Sequence, residues 1–271
     1  MAQLKNNDMT GRDDSLPKIS VVTAVFNRQR YLHDTMKCVL DQAYPHLEYI
    51  VIDGGSTDGC VEVINKESAR LAYWSSESDG GLYDALNKGF SKSTGDILFW
   101  LNSDDIIFPG TLALVGKLFL ENPELEWLTG AATNIDENGY FTKTKHQMRF
   151  RKSSFLCGRP RGIQQESTFF RRSLWEKSGA YIDSNYLYAA DYELWCRFFQ
   201  FSQLAHVHCP LGAFRRHRNQ LSQINRDSYQ EEVLKIRQHY RSLLTVRERV
   251  AGVALAALER MSQKLMPYAD Y

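Results

Sequence analysis

From Lys18 onward, short apolar runs alternate with stretches of helical periodicity. "ISVVTAV" (19–25) precedes a helical pattern over Tyr31 to Asp41, "LEYIVID" (47–53) precedes another over Thr57 to Lys66, and "DILFWLN" (96–102) closes the series. Strands without polar alternation are buried on both faces, as in a parallel sheet joined by helical crossovers. Ligands of such sheets bind beyond the carboxyl ends of the strands. The polar residues that end each run, Thr23 to Asn27, Asp53, and Asn102 to Asp105, are therefore expected to converge in one crevice. After Pro123 the pattern changes. "WLTGAATNIDENGYFTKTK" predicts two strands around an Asn138-Gly139 turn, and Ala189 to Phe201 predicts a helix with Leu194, Phe198 and Phe201 on one face and Asp191 near its start. "LAHVHCPLGAFRRHR" predicts one or two final strands, and the chain beyond Gln223 reads as helices.

Length and composition narrow the class. A chain of 271 residues with 43% hydrophobic content is long enough for a sizeable α/β core. Net charge of +1 gives no composition-level argument for nucleic acid. The five cysteines are scattered, without the C-x-x-C spacing of zinc or redox sites, and read as free thiols of a reducing cytosol. The first residues are too polar for a signal peptide, and Val250 to Leu258 falls far short of the roughly 20 apolar residues that span a bilayer. A cytoplasmic protein is expected, with peripheral attachment to the inner face of the cytoplasmic membrane as the alternative.

Several segments carry candidate chemistry. "VIDGGSTDG" (51–59) ends a strand with a carboxylate and enters a helix through two glycines and a Ser-Thr-Asp cap. In "ESDGGLYDALNKGFSKSTGD" (77–96), Asp79 is a second acidic strand end; Tyr83, Leu86 and Phe90 sit at helical spacing, and Asn87 and Lys88 are expected toward the crevice, Lys88 as a point charge for a diphosphate. "NSDD" (102–105) puts two adjacent carboxylates on a turn after a buried strand, where like charges repel unless a cation sits between them. That favours hard-oxygen ligation of Mg²⁺ or Mn²⁺ over a simple turn. Asp191 and Glu193 open a helix whose dipole favours carboxylates there; Asp191 is suited to general-base chemistry or to capping.

In order, "VVTAVFNRQRYL", "YIVIDGGSTDG", "SDGGLYDALNKG", "GDILFWLNSDD", "QQESTFFRRSLWEKSGAY" and "AADYELWCRF" resemble the family-2 inverting glycosyltransferases of GT-A fold, and within them the bacterial members that build surface polysaccharides such as O-antigen or capsule. The resemblance implies a Rossmann-like, mostly parallel sheet with flanking helices over 17–217, a nucleotide-sugar half (17–122) and an acceptor half (123–217), between a flexible leader (1–16) and a C-terminal helical extension (218–271). It also implies that Thr23, Asn27 and Arg28 line the nucleotide pocket, that Asp53 binds base or ribose and Asp79 flanks the base, that Asp104 and Asp105 form the metal motif with Asp105 the direct ligand, that Gln165 faces donor sugar or acceptor, that His217 lies near the diphosphate, and that Asp191 deprotonates the acceptor hydroxyl. Three departures stand out: Asn102 where many members have an acid, Gln164 for a more usual histidine, and Ala190 before Asp191 where relatives place Glu.

The implied reaction is a single displacement with inversion, using a UDP, dTDP or GDP sugar as donor, Mn²⁺ or Mg²⁺ as cofactor and a glycan or lipid-linked glycan as acceptor. Basic residues among aromatics, Arg149, Arg151, Arg159 and Arg161, suit lipid or acceptor phosphates. The apolar stripe of Val246 to Met266 suits a membrane surface or packing on its own core or another subunit. A nucleotidyltransferase is disfavoured because the loop after the first strand has no glycine, whereas a non-catalytic nucleotide-sugar binder on the same fold is compatible with the sequence.

Overall fold

The structure, a computed structural model, describes residues 15–145, 150–158, 162–218, 220 and 225–265. Its centre is a seven-stranded sheet. Strands β1 (Ile19–Val25), β2 (Leu47–Asp53), β3 (Tyr73–Ser76) and β4 (Ile97–Trp100) run parallel, in the spatial order β4-β1-β2-β3. The helices between them are α1 (Gln29–Leu40), α2 (Cys60–Glu67) and α3 (Leu82–Lys92). All seven residues of β1 are buried, as a strand covered on both faces requires. One face of the sheet packs on α1, α2 and α4 (Thr111–Glu121) through Leu32, Met36, Ile64, Leu112 and Phe119. The other packs on α3 through Tyr83, Leu86 and Phe90 and then on a largely aromatic layer from the C-terminal half.

Beyond β4 the order continues through β9 (Thr168–Arg171), β6 (Trp127–Thr129) and β10 (Ala205–His206). Strand β9 is antiparallel to both of its neighbours, β4 and β6. That reversal puts the residues just before β9, a short 3-10 turn over Gln165–Ser167, at the edge where β1 to β4 end. A second, four-stranded sheet in the order β5-β11-β7-β8 is built from β5 (Ile106–Ile107), β7 (Ala132–Ile135), β8 (Phe141–Lys145) and β11 (Gly212–Arg215), and stands beside the same edge. The stretch 127–145 thus yields three strands rather than the two expected: Trp127 joins the main sheet and only β7 and β8 pair across the Asn138-Gly139 turn.

Helix α5 (Lys152–Cys157) precedes β9, and α6 (Arg172–Lys177) follows it. Helix α7 (Ala190–Phe201) lies in the aromatic layer, where Trp195 stacks on Trp100 at 5.5 Å and on Trp127 at 5.7 Å. Each fully buried ring of this kind contributes about 1.5–3 kcal/mol by area alone. Leu194 and Phe198 are buried as expected, but Phe201 is exposed, because the helix ends there and the chain turns into β10. Two further helices, α8 (Arg226–Ser242) and α9 (Val246–Leu265), complete the chain: α8 buries Val233, Ile236 and Tyr240 in the aromatic layer, and α9 packs on α5. The five cysteines are all free. Among the described residues, no helix is long and apolar enough to cross a membrane.

Candidate active site

The site lies along the carboxyl edge of β1 to β4. At the end of β1 the chain turns through Asn27 at φ +50°, a conformation Asn tolerates better than most residues. Asn27 is pinned to the loop after β2: its amide donates to the Ser56 hydroxyl at 2.8 Å, and its Oδ1 accepts from the Thr57 amide at 2.9 Å. Asp53 ends β2. Its Oδ2 accepts from the amides of Gly55 and Ser56 and from the Ser76 hydroxyl, while Oδ1 is buried without a partner. Asp79 lies against the next residue, Gly54, where a Cβ would fall 2.9 Å from Asp79 Oδ2; a side chain there would displace Asp79.

The "NSDD" turn splits its two acids. Asp105 is fully buried; its Oδ1 accepts the Arg215 amide at 2.8 Å, its Oδ2 accepts the Asn102 side chain at 3.1 Å, and its carbonyl takes the Thr35 hydroxyl. Burial, with the charges of Glu166 and Asp104, pushes its pKa well above the usual carboxylate range. The Asp104 carboxylate instead faces the opening, with 17% of its side chain exposed, 2.9 Å from His217 Nε2 and 4.0 Å from Arg28 Nε. Of the two acids expected to hold a metal, Asp105 is the enclosed one, each of its oxygens accepting one hydrogen bond from the fold, and Asp104 is the one more open to a ligand. Part of the positive charge required beside the two acids comes from the chain, since Arg215 Nε donates to the Asp104 carbonyl and its guanidinium lies over the Tyr31 ring.

The turn before β9 supplies the far wall. Gln165 is buried against β4, its amide nitrogen donating to the Trp100 carbonyl and its Oε1 left without a partner. Gln164, in the place of the usual histidine, clamps both the amide and the carbonyl of Thr133 and donates to Glu166. Glu166, not singled out from the sequence, is a fully buried carboxyl whose pKa rises to about 7, through burial first and then through the charges of Asp191 and Asp104. A lone acid directly ahead of the apolar "STFF" was the available signal. A Cβ on Gly212 would sit 1.9 Å from the Glu166 carbonyl, so β11 reaches this turn only because residue 212 is glycine.

Asp191 sits in the first turn of α7. Burial raises its pKa to about 6, Glu232 adds to the rise, and the amides of Asp191 and Tyr192 oppose it. Its Oδ1 is buried without a partner. Asp53, Asn102, Gln165 and Asp191 thus each hold one buried, unpartnered oxygen at the same sheet edge. Such atoms cost about 1–3 kcal/mol apiece unless a ligand or water satisfies them, which marks the edge as a binding surface.

Other expected site residues fall elsewhere. Thr23 is fully buried within β1, its hydroxyl 3.0 Å from the Tyr49 hydroxyl of the neighbouring strand. Asn87 exchanges hydrogen bonds with the Ile182 main chain, and Lys88 pairs with Asp84, which accepts the Gly80 amide next to Asp79, and with Glu77. Arg149, Arg159 and Arg161 and most of the leader lie outside the described residues; Arg151 is exposed.

The residues present suit a divalent cation that shares a diphosphate. Asp104 and His217 offer one oxygen and one nitrogen 2.9 Å apart, with the unpartnered Asn102 Oδ1 in the same turn. Among the described residues no cluster of three or more His, Cys, Asp and Glu forms a closed cage. A hard cation held by one or two protein ligands and completed by substrate phosphate oxygens and water needs no more.

The chain belongs to glycosyl transferase family 2, whose profile matches residues 20–185. It is 34% identical over 208 residues to an uncharacterised glycosyltransferase of Mycobacterium tuberculosis, 74% of this chain and 76% of that protein. It is 36% identical over 92 residues, 33% of this chain and 36% of the other, to TuaG of Bacillus subtilis, a putative teichuronic acid biosynthesis glycosyltransferase. The fold is shared with S. aureus TarS in complex with UDP-GlcNAc, at a TM-score of 0.72 and 16% identity over 89% of this chain and 71% of that one. It is also shared with the mannosyltransferase PcManGT from Pyrobaculum calidifontis in complex with GDP-Man and Mn²⁺, at 0.61 and 16% over 98% and 85%. The protein is a glycosyltransferase of this family. Asp191, His217 and the helices after them lie beyond the matched residues.

Proposed function

We propose that the protein is a metal-dependent, inverting glycosyltransferase that moves a sugar from a nucleoside-diphosphate sugar to a hydroxyl of a glycan or lipid-linked glycan in bacterial surface-polysaccharide biosynthesis. The observation that carries the reading is Asp191, a half-buried carboxyl with one enclosed, unpartnered oxygen and a pKa raised to about 6, together with Asp104 paired with His217. Asp53 and Asp79 receive the nucleoside through the unpartnered Asp53 Oδ1, and Arg28 stands by Asp104 to meet diphosphate charge. Asp104 and His217 would hold the cation, which when bound neutralises the negative charge that develops on the departing diphosphate. Asp191 accepts the proton of the acceptor hydroxyl as its oxygen attacks the anomeric carbon. Gln165 and Glu166 close the wall between the two ends and keep water out of the attacking line.

The bound nucleotides of TarS and PcManGT and the Mn²⁺ of PcManGT support the donor class and the cation, and the name of TuaG supports the polysaccharide setting. Contact with the inner face of the cytoplasmic membrane, where a lipid-linked acceptor would be presented, is supported by exposed Val246, Val250, Val253 and Met261 with Arg241 and Arg247 beside them. The test is calorimetric titration with UDP, dTDP and GDP, each with Mn²⁺ and with excess chelator, followed by assay of the matching sugar donors. Metal-dependent binding of one nucleotide and release of that nucleotide from its donor are expected. Absence of binding to all three leaves the non-catalytic sugar binder as the better reading.

A further inference from the structure

Glu232, on α8, reaches back to the start of the helix that carries Asp191. Its Oε1 accepts the Leu187 amide at 2.9 Å, and its Oε2 accepts the amides of Tyr188 and Ala189, each at 2.9 Å. These three residues are the final approach of the chain to α7, and α7 has no side-chain cap of its own. A single carboxylate from a helix some forty residues downstream therefore collects three consecutive amides at the start of α7, the last of them from the buried Ala189. We propose that Glu232 is the positioning residue of the base: it fixes the backbone that delivers Asp191 to the pocket and holds a negative charge behind it. The inference rests on the reading of Asp191 as base, and it assigns to the C-terminal extension a part in the reaction.

The surroundings leave little else to do this. The groups that face Asp191 are Glu232 and Tyr229 from α8, Tyr83 from α3, Glu166 from the turn before β9 and Cys196 from its own helix. Both phenols and the thiol are pushed up by burial and are neutral, and Glu166 acts from the pocket side. Glu232 is thus the acid that sits on the scaffold side of Asp191, and its charge raises the basicity of that carboxyl. Helix α8 is itself anchored at the same place: Tyr240 donates to Glu193 Oε1 at 2.6 Å, and Glu193 pairs with Arg197 at 2.8 Å, one turn along α7. Rotation of α8 would therefore move the clamp and the base together.

Two measurements on the full chain decide it. The carboxyl of Asp191, assigned by difference with Asp191→Asn, is titrated by carbon-13 NMR in the wild type and in Glu232→Gln, and amide hydrogen exchange is followed at Leu187, Tyr188 and Ala189. In E232Q, Asp191 is expected to titrate at a lower pH and the three amides to exchange faster; hydrolysis of UDP-GlcNAc or GDP-mannose, whichever the protein binds, is expected to fall ~10²-fold, the scale of a small misplacement of a reacting group. A loss of packing alone would speed exchange without moving the titration. In Glu232→Asp, which keeps the charge on a shorter arm, the titration stays near that of the wild type while the amides still exchange faster. If E232Q does not fold, E232D alone decides, and unchanged exchange with unchanged hydrolysis overturns the proposal. Unchanged titration of Asp191 in a folded E232Q also overturns it. Failure of the base reading is seen separately, as an Asp191→Asn protein that still hydrolyses donor.

Discussion

Asp104 Oδ2 and His217 Nε2 lie 2.9 Å apart although 113 positions separate them in the chain. The contact exists because β11 pairs with β5, which directly follows the "NSDD" turn, so the residues after β11 are carried back over the acid. Tyr31 closes the arrangement, its ring centroid 4.8 Å from that of His217. The pair joins the turn after β4 to the segment after β11 and gives the pocket its one carboxylate–imidazole donor set among the described residues.

The first prediction follows from that pair. Asp104→Asn and His217→Ala should each weaken Mn²⁺-dependent nucleotide binding by roughly 10–100-fold, the usual cost of disturbing a metal ligand or its support. Calorimetry with and without chelator reads this directly. Asp105→Asn should instead lower stability and leave the metal dependence of the remaining folded protein intact, because Asp105 binds the fold.

Asp191→Asn separates chemistry from binding. Loss of a general base costs about 10²–10⁴-fold in rate, while nucleotide affinity should stay within a factor of two or so, a difference of only a few tenths of a kcal/mol. The same substitution should stabilise the protein. The Asp191 carboxyl rises from 3.8 to about 6 on folding, so its favourable contribution is complete below about 3.8 and is lost as pH rises through about 6. Above that, the ionised side chain costs up to about 3 kcal/mol. Thermal unfolding at pH 7.5 should therefore show Asp191→Asn more stable by roughly 1–3 kcal/mol; an unchanged or lower midpoint contradicts the burial of that charge.

The pH profile of donor turnover carries the third expectation. A base must be ionised to act, so kcat/KM should climb with pH through about 6, the value to which burial raises Asp191. A limb near the ordinary carboxylate value of 3.8 would assign the proton transfer to a solvent-exposed acid instead.

Glu48 makes a prediction about stability alone, at the opposite edge of the sheet. It is buried, and it accepts from the Ser20 hydroxyl at 2.6 Å and from the amide and hydroxyl of Thr94, with Lys18 2.6 Å away. Burial by itself raises its pKa, but these partners overcome that and hold it at about 2, from an ordinary 4.5. The stability this gives is present above about 4.5 and is lost as pH falls toward about 2. Glu48→Gln should cost roughly 2–3 kcal/mol at pH 7 and flatten the acid limb of stability below pH 5, as followed by urea unfolding.

The sequence by itself determined the parallel half of the sheet and its polar edge. Strands buried on both faces, such as β1 and β2, leave an uninterrupted apolar run, and the acid that ends the run must lie at the rim, so Asp53, Asp79 and the Asp104–Asp105 turn were legible from local pattern. The ordered motifs also made the family visible, and the start of α7 made Asp191 visible. Local pattern does not say which way a side chain at a strand end points, and that is why Thr23 was expected in the pocket and is fully buried within β1. Nor does it say which of two adjacent acids is enclosed. Asp105 is buried because the amide of Arg215, from a strand 110 positions later, takes its oxygen, and Asp104 is thereby left facing the opening. The reversal of β9 that brings Glu166 to the edge, the return of His217 to Asp104 and the clamp of Glu232 on the approach to α7 were likewise decided only by the tertiary structure. Each depends on a pairing between distant segments, and the energy of such a pairing depends on the packing of the whole chain rather than on any window of sequence.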